Sequence, residues 1–247
     1  MNRFKDKVVV VTGGNSGIGY ATARKFAEEG AKVVMTGRRK EALEKAAAEV
    51  GAIGVLADQS STADLDRLVK EVQDRFGQVD VLFINAGVAQ LAPIEYTSEE
   101  LYDAVMDVNL KGSFFTLVKF LPSLKEGASV LFISSNITSM VMANSAVYAA
   151  SKAGLNQVMK TAAKELATRK IRVNAISPGP TDTEIINKFG FDEARLAAAR
   201  QQILQTIPLQ RTGTPEDVAS LAAYLSDPGT SSFITGAEFL IDGGMVL

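Results

Sequence analysis

The sequence predicts an α/β fold: a doubly wound parallel sheet with helices on both faces. Three observations carry the prediction. Short β-branched runs alternate with longer segments of helical period along the whole chain, the pattern of successive strand–helix–strand units. No long Gly/Pro/Ser linker, repeat or low-complexity segment interrupts it, so residues 1–247 read as one domain. The motifs rich in Gly, Asn, Ser and Asp fall at the ends of strand-like runs, where open parallel sheets form their ligand crevice.

The elements follow in order. Lys7–Thr12 reads as a strand and Ile18–Glu29 as a helix closed by Gly30. Lys32–Thr36 is a second strand, Lys40–Val50 a helix and Ile53–Ala57 a third strand. A helix over Thr62–Phe76, closed by Gly77, leads to a fourth strand at Val79–Ile84. Ser98–Phe120 reads as one long helix with a capping pattern at Ser98. Ser129–Ser134 is the fifth strand, Ser145–Thr168 a second long helix and Ile171–Ile176 the sixth strand. After an irregular loop come a helical stretch, Glu193–Gln205, and a helix over Pro215–Leu225 with Thr214 as its cap and Pro just inside. Glu238–Ile241 is the last strand.

Composition narrows the chemistry. The 247 residues suffice for a large core, and 47 % are hydrophobic, too many for a disordered chain. A net charge of −2 gives no basic stripe of the kind that meets nucleic acid or a membrane surface. No apolar run approaches a membrane span, and the polar start, Met1–Lys7, leaves no room for a signal peptide before the first strand. The expected compartment is the cytoplasm. The absence of cysteine removes disulfides and thiol catalysis, and the absence of histidine removes the Ser-His-Asp triad, a His-ligated metal and an imidazole base. Acid–base work therefore falls to Tyr, Lys, Asp or Glu.

The first strand ends in Thr12-Gly13-Gly14-Asn15-Ser16-Gly17-Ile18-Gly19. Glycines allow close backbone approach, and the helix that follows points its positive end at the loop, an arrangement that suits a pyrophosphate. The spacing, G-x-x-x-G-x-G, differs from the common dinucleotide pattern, and a tight turn without ligand is the plain alternative. At the end of the second strand, where an acid would read a ribose 2′-OH, stand Gly37-Arg38-Arg39. Paired guanidiniums suit a 2′-phosphate, hence NADP(H); otherwise they are a solvated surface pair. Asn15 and Ser16 add hydrogen bonds to the same phosphate. Asp58-Gln59 follows the third strand, where Asp58 either accepts the adenine amino group or caps a helix. Asn85-Ala86-Gly87 ends the fourth strand, leaving room for a ribose or forming an ordinary strand exit.

Tyr148 and Lys152 lie four residues apart in a helical pattern and so share a face. A nearby cation stabilises phenolate and lowers the phenol pKa, making an acid–base pair. On spacing alone a surface Tyr/Lys pair fits more readily. Together the motifs resemble those of the short-chain dehydrogenase/reductase family. The resemblance spans essentially the whole chain and rests on their order: Thr12-Gly13-x-x-x-Gly17-x-Gly19, Asp58, Asn85-Ala86-Gly87, Asn109, Ser135, Tyr148-x-x-x-Lys152 and Pro178-Gly179.

The resemblance implies a single-domain Rossmann-like fold with a seven-stranded parallel sheet. It implies that Tyr148 exchanges a proton with the carbonyl or alcohol oxygen, that Lys152 lowers its pKa and holds the nicotinamide ribose, and that Ser135 holds the substrate oxygen. Asn109 would anchor a water in a proton relay toward Lys152. Pro178 and Gly179 would belong to the nicotinamide-side loop, in which the Thr181 backbone and the Thr183 hydroxyl would hold the carboxamide. The expected reaction is hydride transfer between NADP(H) and a ketone, aldehyde or alcohol. Two departures stand out: Thr138 where a glycine is frequent, and Ile84 before Asn-Ala-Gly where an asparagine is frequent.

A substrate is expected between 135–143, with Ile137, Met140, Val141 and Met142, and a substrate-loop region at about 183–210, with Ile185, Ile186, Phe189 and Phe191. These residues form an apolar pocket for a hydrophobic carbonyl, or else pack the core or a subunit interface. Gly190 makes the loop a candidate lid. Two other readings remain. A β-ketoacyl-carrier-protein reductase would show a basic segment before the fifth strand; here only Lys125 is basic and Glu126 opposes it. A non-enzymatic NADP sensor would have lost the Tyr/Lys pair. The resemblance also implies a homotetramer.

Overall fold

The computed structural model describes residues 2–182 and 201–247. The strands among them are β1 (Val8–Val11), β2 (Lys32–Gly37), β3 (Ile53–Leu56), β4 (Val79–Ile84), β5 (Leu124–Ile133), β6 (Arg172–Pro178) and β7 (Glu238–Ile241). They form one seven-stranded sheet in the order β3-β2-β1-β4-β5-β6-β7, and every neighbouring pair is parallel. The chain builds outward from β1 to β3, then returns past β1 to lay down β4. That reversal opens a crevice between β1 and β4 at their carboxyl ends. The fold is the Rossmann-like doubly wound α/β architecture expected from the sequence.

The α-helices whose bounds fall within the described residues are α1 (Gly17–Glu28), α2 (Lys40–Val50), α3 (Thr62–Phe76), α4 (Glu99–Met106), α5 (Ser113–Phe120), α6 (Ala146–Leu166), α7 (Pro215–Ser226) and the one-turn α8 (Pro228–Ser231). Among the described residues no helix is long and apolar enough to cross a membrane.

Why the strands are apolar on both sides is visible in β1. Val8 and Val10 join a core with Leu65, Leu68, Leu117, Phe120, Leu155 and Met159, from α3, α5 and α6. Val9 and Val11 join a second core with Ala23, Phe26, Leu43, Val218 and Ala222, from α1, α2 and α7. The same alternation runs through β4, with Leu82 and Ile84 on the first side and Val81 and Phe83 on the second. A strand covered on both faces has no polar side to show. At the entry to β1 the Asp80 carboxylate accepts from Val8 N at 3.0 Å and from Lys7 Nζ at 3.1 Å.

Two elements differ from the sequence reading. The expected long helix Ser98–Phe120 is interrupted: between α4 and α5 the backbone widens into a π-helical turn, Asp107–Gly112. And β5 starts at Leu124 rather than Ser129, with a register shift opposite Val79–Val81 and Gly127 at φ 80°. The expected helix Glu193–Gln205 lies outside the described residues up to 200; residues 201–206 are helical.

Candidate active site

The crevice is a cleft of about 570 Å³ running from the glycine loop, past the ends of β2, β3 and β4, to Ser135 and Tyr148. Its lining includes Gly13, Asn15, Ser16, Gly17, Ile18, Arg38, Arg39, Asp58, Gln59, Asn85, Ala86, Gly87, Ser135, Ile137, Tyr148, Lys152, Pro178, Gly179 and Thr181. Gly19 and Asn109, also assigned to the site from sequence, stand behind this surface. Thr183, Ile185, Ile186 and Phe189 lie outside the described residues, as do Gly190 and Phe191.

The glycine loop is shaped by contacts that side chains would block. Gly13 has φ +64°, and a Cβ there would stand 2.9 Å from Ala86 Cα; a Cβ on Gly19 would drive into the Gly13 carbonyl. At the helix start Ser16 provides no side-chain cap, and the first turn of α1 holds no acid. Elsewhere Ser61, Ser98 and Thr214 cap α3, α4 and α7 with their own hydroxyls. The N-terminal end of α1 is thus left for an anionic partner.

Asn85, at the cleft wall, ties its side-chain amide to the loop. Its Nδ2 donates to the carbonyls of Thr12 (2.9 Å) and Gly13 (3.1 Å), while the Thr12 hydroxyl accepts from Asn85 N (2.9 Å) and Ala86 N (3.1 Å). This bracing by Thr12 is not part of the sequence reading. Next to the loop, Asn15 lies over Gly37, where a Cβ would come within 2.6 Å of its Oδ1. Arg38 and Arg39 are exposed at the end of β2, and Arg38 Nη1 stands 3.7 Å from Asp58 Oδ2. The other Asp58 oxygen accepts from Ser60 N (2.9 Å) and Ser60 Oγ (2.8 Å). Gln59 turns inward: its buried Nε2 meets the carbonyls of Ala86 (2.9 Å) and Val108 (3.1 Å) and the Ser113 hydroxyl (3.2 Å).

At the other end, α6 carries Tyr148 and Lys152 on one face. Lys152 Nζ is 6.0 Å from the centre of the Tyr148 ring and donates to the carbonyl of Ile133, the last residue of β5, at 2.8 Å. Gly87 packs between this ammonium and Asn109: a Cβ there would lie in ordinary contact with Nζ, at 3.5 Å, and more tightly against Asn109 Oδ1, at 3.2 Å. Burial brings the Lys152 pKa down to about 8. Burial also pushes the Tyr148 phenol above its ordinary value, with the Ser135 hydroxyl beside it working the other way. The sequence predicts that the ammonium lowers the phenol pKa. Here the desolvation of the phenol outweighs the hydrogen bond from Ser135, and the shift is upward.

Asn109 sits in the π-helical turn with both ends of its amide engaged. Its Oδ1 accepts from Val88 N at 2.8 Å, and its Nδ2 donates to Val88 O at 2.9 Å and Ser151 Oγ at 3.2 Å. Ser151 in turn donates to Tyr148 O at 2.7 Å. The Asn109 side chain braces the β4 exit against α6. Ser151 is absent from the sequence reading, although its place between Tyr148 and Lys152 is a signal. Asn136 and Ile203, within the two segments expected to hold substrate but not named there, also line the cleft, and so does Met245, which lies outside both segments. Met140 and Met142 line it as expected, whereas Val141 is fully exposed.

Comparison with known proteins agrees with this geometry. A family model described as enoyl-(acyl carrier protein) reductase matches residues 13–246. The 3-oxoacyl-[acyl-carrier-protein] reductase of Thermotoga maritima is 38 % identical, the match covering 99 % of this chain and 100 % of that protein. The NADP-dependent (R)-specific alcohol dehydrogenase of Lentilactobacillus kefiri is 35 % identical, over 98 % of each. A solved short-chain dehydrogenase from Burkholderia cenocepacia in complex with NADP superposes with a TM-score of 0.90 at 30 % identity, covering 99 % of this chain and 100 % of that one. A fold wound around one crevice, a glycine loop open to an anion, a Tyr/Lys face opposite a serine, and full-length relatives of this kind lead to one conclusion: the chain belongs to the short-chain dehydrogenase/reductase family of oxidoreductases.

Proposed function

We propose that this protein is an NADP(H)-dependent enzyme that interconverts a ketone or aldehyde and an alcohol, with Tyr148 as general acid and base. The observation that carries the reading is the meeting of the Tyr148 phenol, the Ser135 hydroxyl and the buried Lys152 ammonium at one end of a cleft whose other end is the glycine loop. The residues present fit a dinucleotide phosphate: the start of α1 has neither a side-chain cap nor an acid, and Arg38 and Arg39 take the place where a 2′-OH reader would be acidic. Asn15 and Ser16 supply polar groups beside them, and Asp58 faces the same rim. Bound along this cleft, the reduced dinucleotide supplies the hydride.

The chain's own residues do the rest. Ser135 and Tyr148 donate hydrogen bonds to the substrate oxygen as negative charge develops there, and donors so aimed contribute roughly 3–4 kcal/mol each in comparable sites. Tyr148 then releases its proton to that oxygen. Lys152 stabilises the phenolate left behind; in the alcohol direction the same groups run in reverse. Asn109 acts as a positioning residue, fixing Val88 and Ser151 around the pair. Pro178, Gly179 and Thr181 form the opposite wall, with Thr183 assigned there from sequence. Ile137, Met140 and Met142 make the described part of the substrate side apolar, and Ile185, Ile186 and Phe189 are assigned to it from sequence alone. In Tyr148→Phe, NADPH should still bind while ketone-dependent NADPH oxidation falls at least about a hundredfold, the low end of general-acid contributions. Turnover at the wild-type rate in that variant would remove Tyr148 from the mechanism.

The Thermotoga maritima relative favours a second reading, a β-ketoacyl-carrier-protein reductase. Against it, Lys125 is the one basic residue of the segment where an acidic carrier is expected to dock, and it lies 3.5 Å from Asp80 at the start of β5, the end of the sheet away from the cleft. Comparing acetoacetyl-carrier protein with aryl ketones as substrates separates the two readings. NADPH binding without turnover of any carbonyl would make the protein a sensor instead. A homotetramer in the cytoplasm completes the reading; light scattering after size exclusion tests the assembly.

A further inference from the structure

On the reading that a carbonyl substrate sits between Ser135 and Tyr148, we propose that Met245 sets the size of the group the enzyme accepts beside the reacting carbon. Met245 is remote in sequence from every catalytic motif, yet it lines the same cleft as Ser135, Tyr148 and Ile137. It is carried there by a chain turn held from several sides. Gly179 N donates across the sheet to the Ile241 carbonyl at 3.0 Å, and Leu209 N donates to Gly243 O at 3.2 Å. The Asp242 carboxylate accepts from Gly244 N at 3.0 Å and Val246 N at 3.2 Å, closing the turn around residue 245.

The turn is also fitted to its surroundings. Gly243 and Gly244 have φ of +67° and +88°, and a Cβ on Gly243 would stand 2.7 Å from Ile207 Cγ2. The last link reaches the reacting end of the cleft. Asn136, the residue after Ser135, directs its Nδ2 to Asp242 Oδ2 at 3.4 Å and to Met245 Sδ at 3.6 Å. The thioether is thus tied to the residue that follows the serine, whereas Met142, which also lines the cleft, is exposed. An unbranched side chain at a fixed anchor fills space adjustably up to a limit, which is the behaviour of a size filter.

The test compares wild type, Met245→Ala and Met245→Phe, each first shown to melt cooperatively. With NADPH, kcat/KM is measured for acetone and for 2-acetylnaphthalene. The expected result is that the preference for the bulky ketone rises at least about tenfold in Met245→Ala and falls by a similar factor in Met245→Phe, the range that a change of a few methylenes produces in an apolar pocket. A ratio unchanged in both variants overturns the assignment, while wild-type turnover keeps the reductase reading standing. A wild type that turns over no ketone at all overturns the parent reading and this one with it. If Met245→Phe does not fold, a second readout decides: with 13C-methyl methionine, the resonance lost in Met245→Leu must shift in the wild-type spectrum when 2-acetylnaphthalene is added, and an unmoved resonance overturns the proposal.

Discussion

At the scale of single residues, burial moves Tyr148 and Lys152 in opposite directions. The phenol is held above its ordinary value and the ammonium is brought down to about 8, so near neutrality both carry their protons, the state a reductase needs. Ketone reduction is expected to be flat at lower pH and to decline as pH rises through about 8, where Lys152 loses its charge; a pH profile of kcat/KM measures this. A stability effect follows from the same group. In the unfolded chain the ammonium keeps its proton up to its ordinary value near 10.5, but in the folded chain only up to about 8. Between those values the unfolded state holds more protons, so stability rises with pH across that window. Below it the buried charge costs as much as about 3 kcal/mol, so Lys152→Met should gain stability at pH 7 while losing activity. Urea melts at pH 7 check this, and a variant less stable than wild type would contradict it. The pair itself is legible in the sequence but the direction of the phenol's shift is not, because i, i+4 spacing reports proximity and says nothing of desolvation.

At the scale of elements, the helices show how local sequence divides structural from functional ends. Thr214 and Asp217 form a full capping box at the start of α7, and Arg211 pairs with Asp217 at 2.7 Å. Thr214→Ala should cost about 1 kcal/mol, or about 2–4 °C in Tm for a domain of this size, with no change in substrate KM. Calorimetry and kinetics on the same sample measure both. Caps and glycine stops such as Gly30 and Gly77 are legible because their chemistry is local. The π-helical turn is not, since Ser98–Phe120 keeps a helical apolar pattern throughout. What shapes the turn is tertiary: the amide of Asn109 binding Val88, and Gly112, where a Cβ would stand 2.5 Å from the Gln59 carbonyl. Two weak helix formers, Asn109 and Gly112, within a helical pattern are the one local sign. The cleft wall from residue 245 is likewise hidden, because nothing in an isolated Gly-Gly-Met turn says where the sheet will carry it.

At the scale of the whole molecule, the sheet separates two apolar cores and the ligand cleft spans the strand ends that join them. A dinucleotide touching β1, β2, β4 and α6 residues at once should stabilise the entire fold. At about 100 times its Kd, NADPH should add about 2.7 kcal/mol, and NADH at the same concentration less, with Arg38→Ala narrowing the difference. Thermal melts with each nucleotide measure it, and equal shifts in the wild type would contradict the role given to Arg38 and Arg39. Fold class and most of the cleft are readable because alternation and strand-end motifs follow from the architecture itself; the order of the strands is not, since alternation alone does not say which strands become neighbours.

The four consecutive valines of β1 have one consequence more. Sliding that central strand by a single position would deliver valine to valine on either side, so greasiness cannot tell the right alignment from the wrong one. The tie is broken at the strand's tips, by Asp80 gripping one end and the Thr12 hydroxyl the other. The hydroxyl that braces the glycine loop is thus also the index mark of β1 against β4.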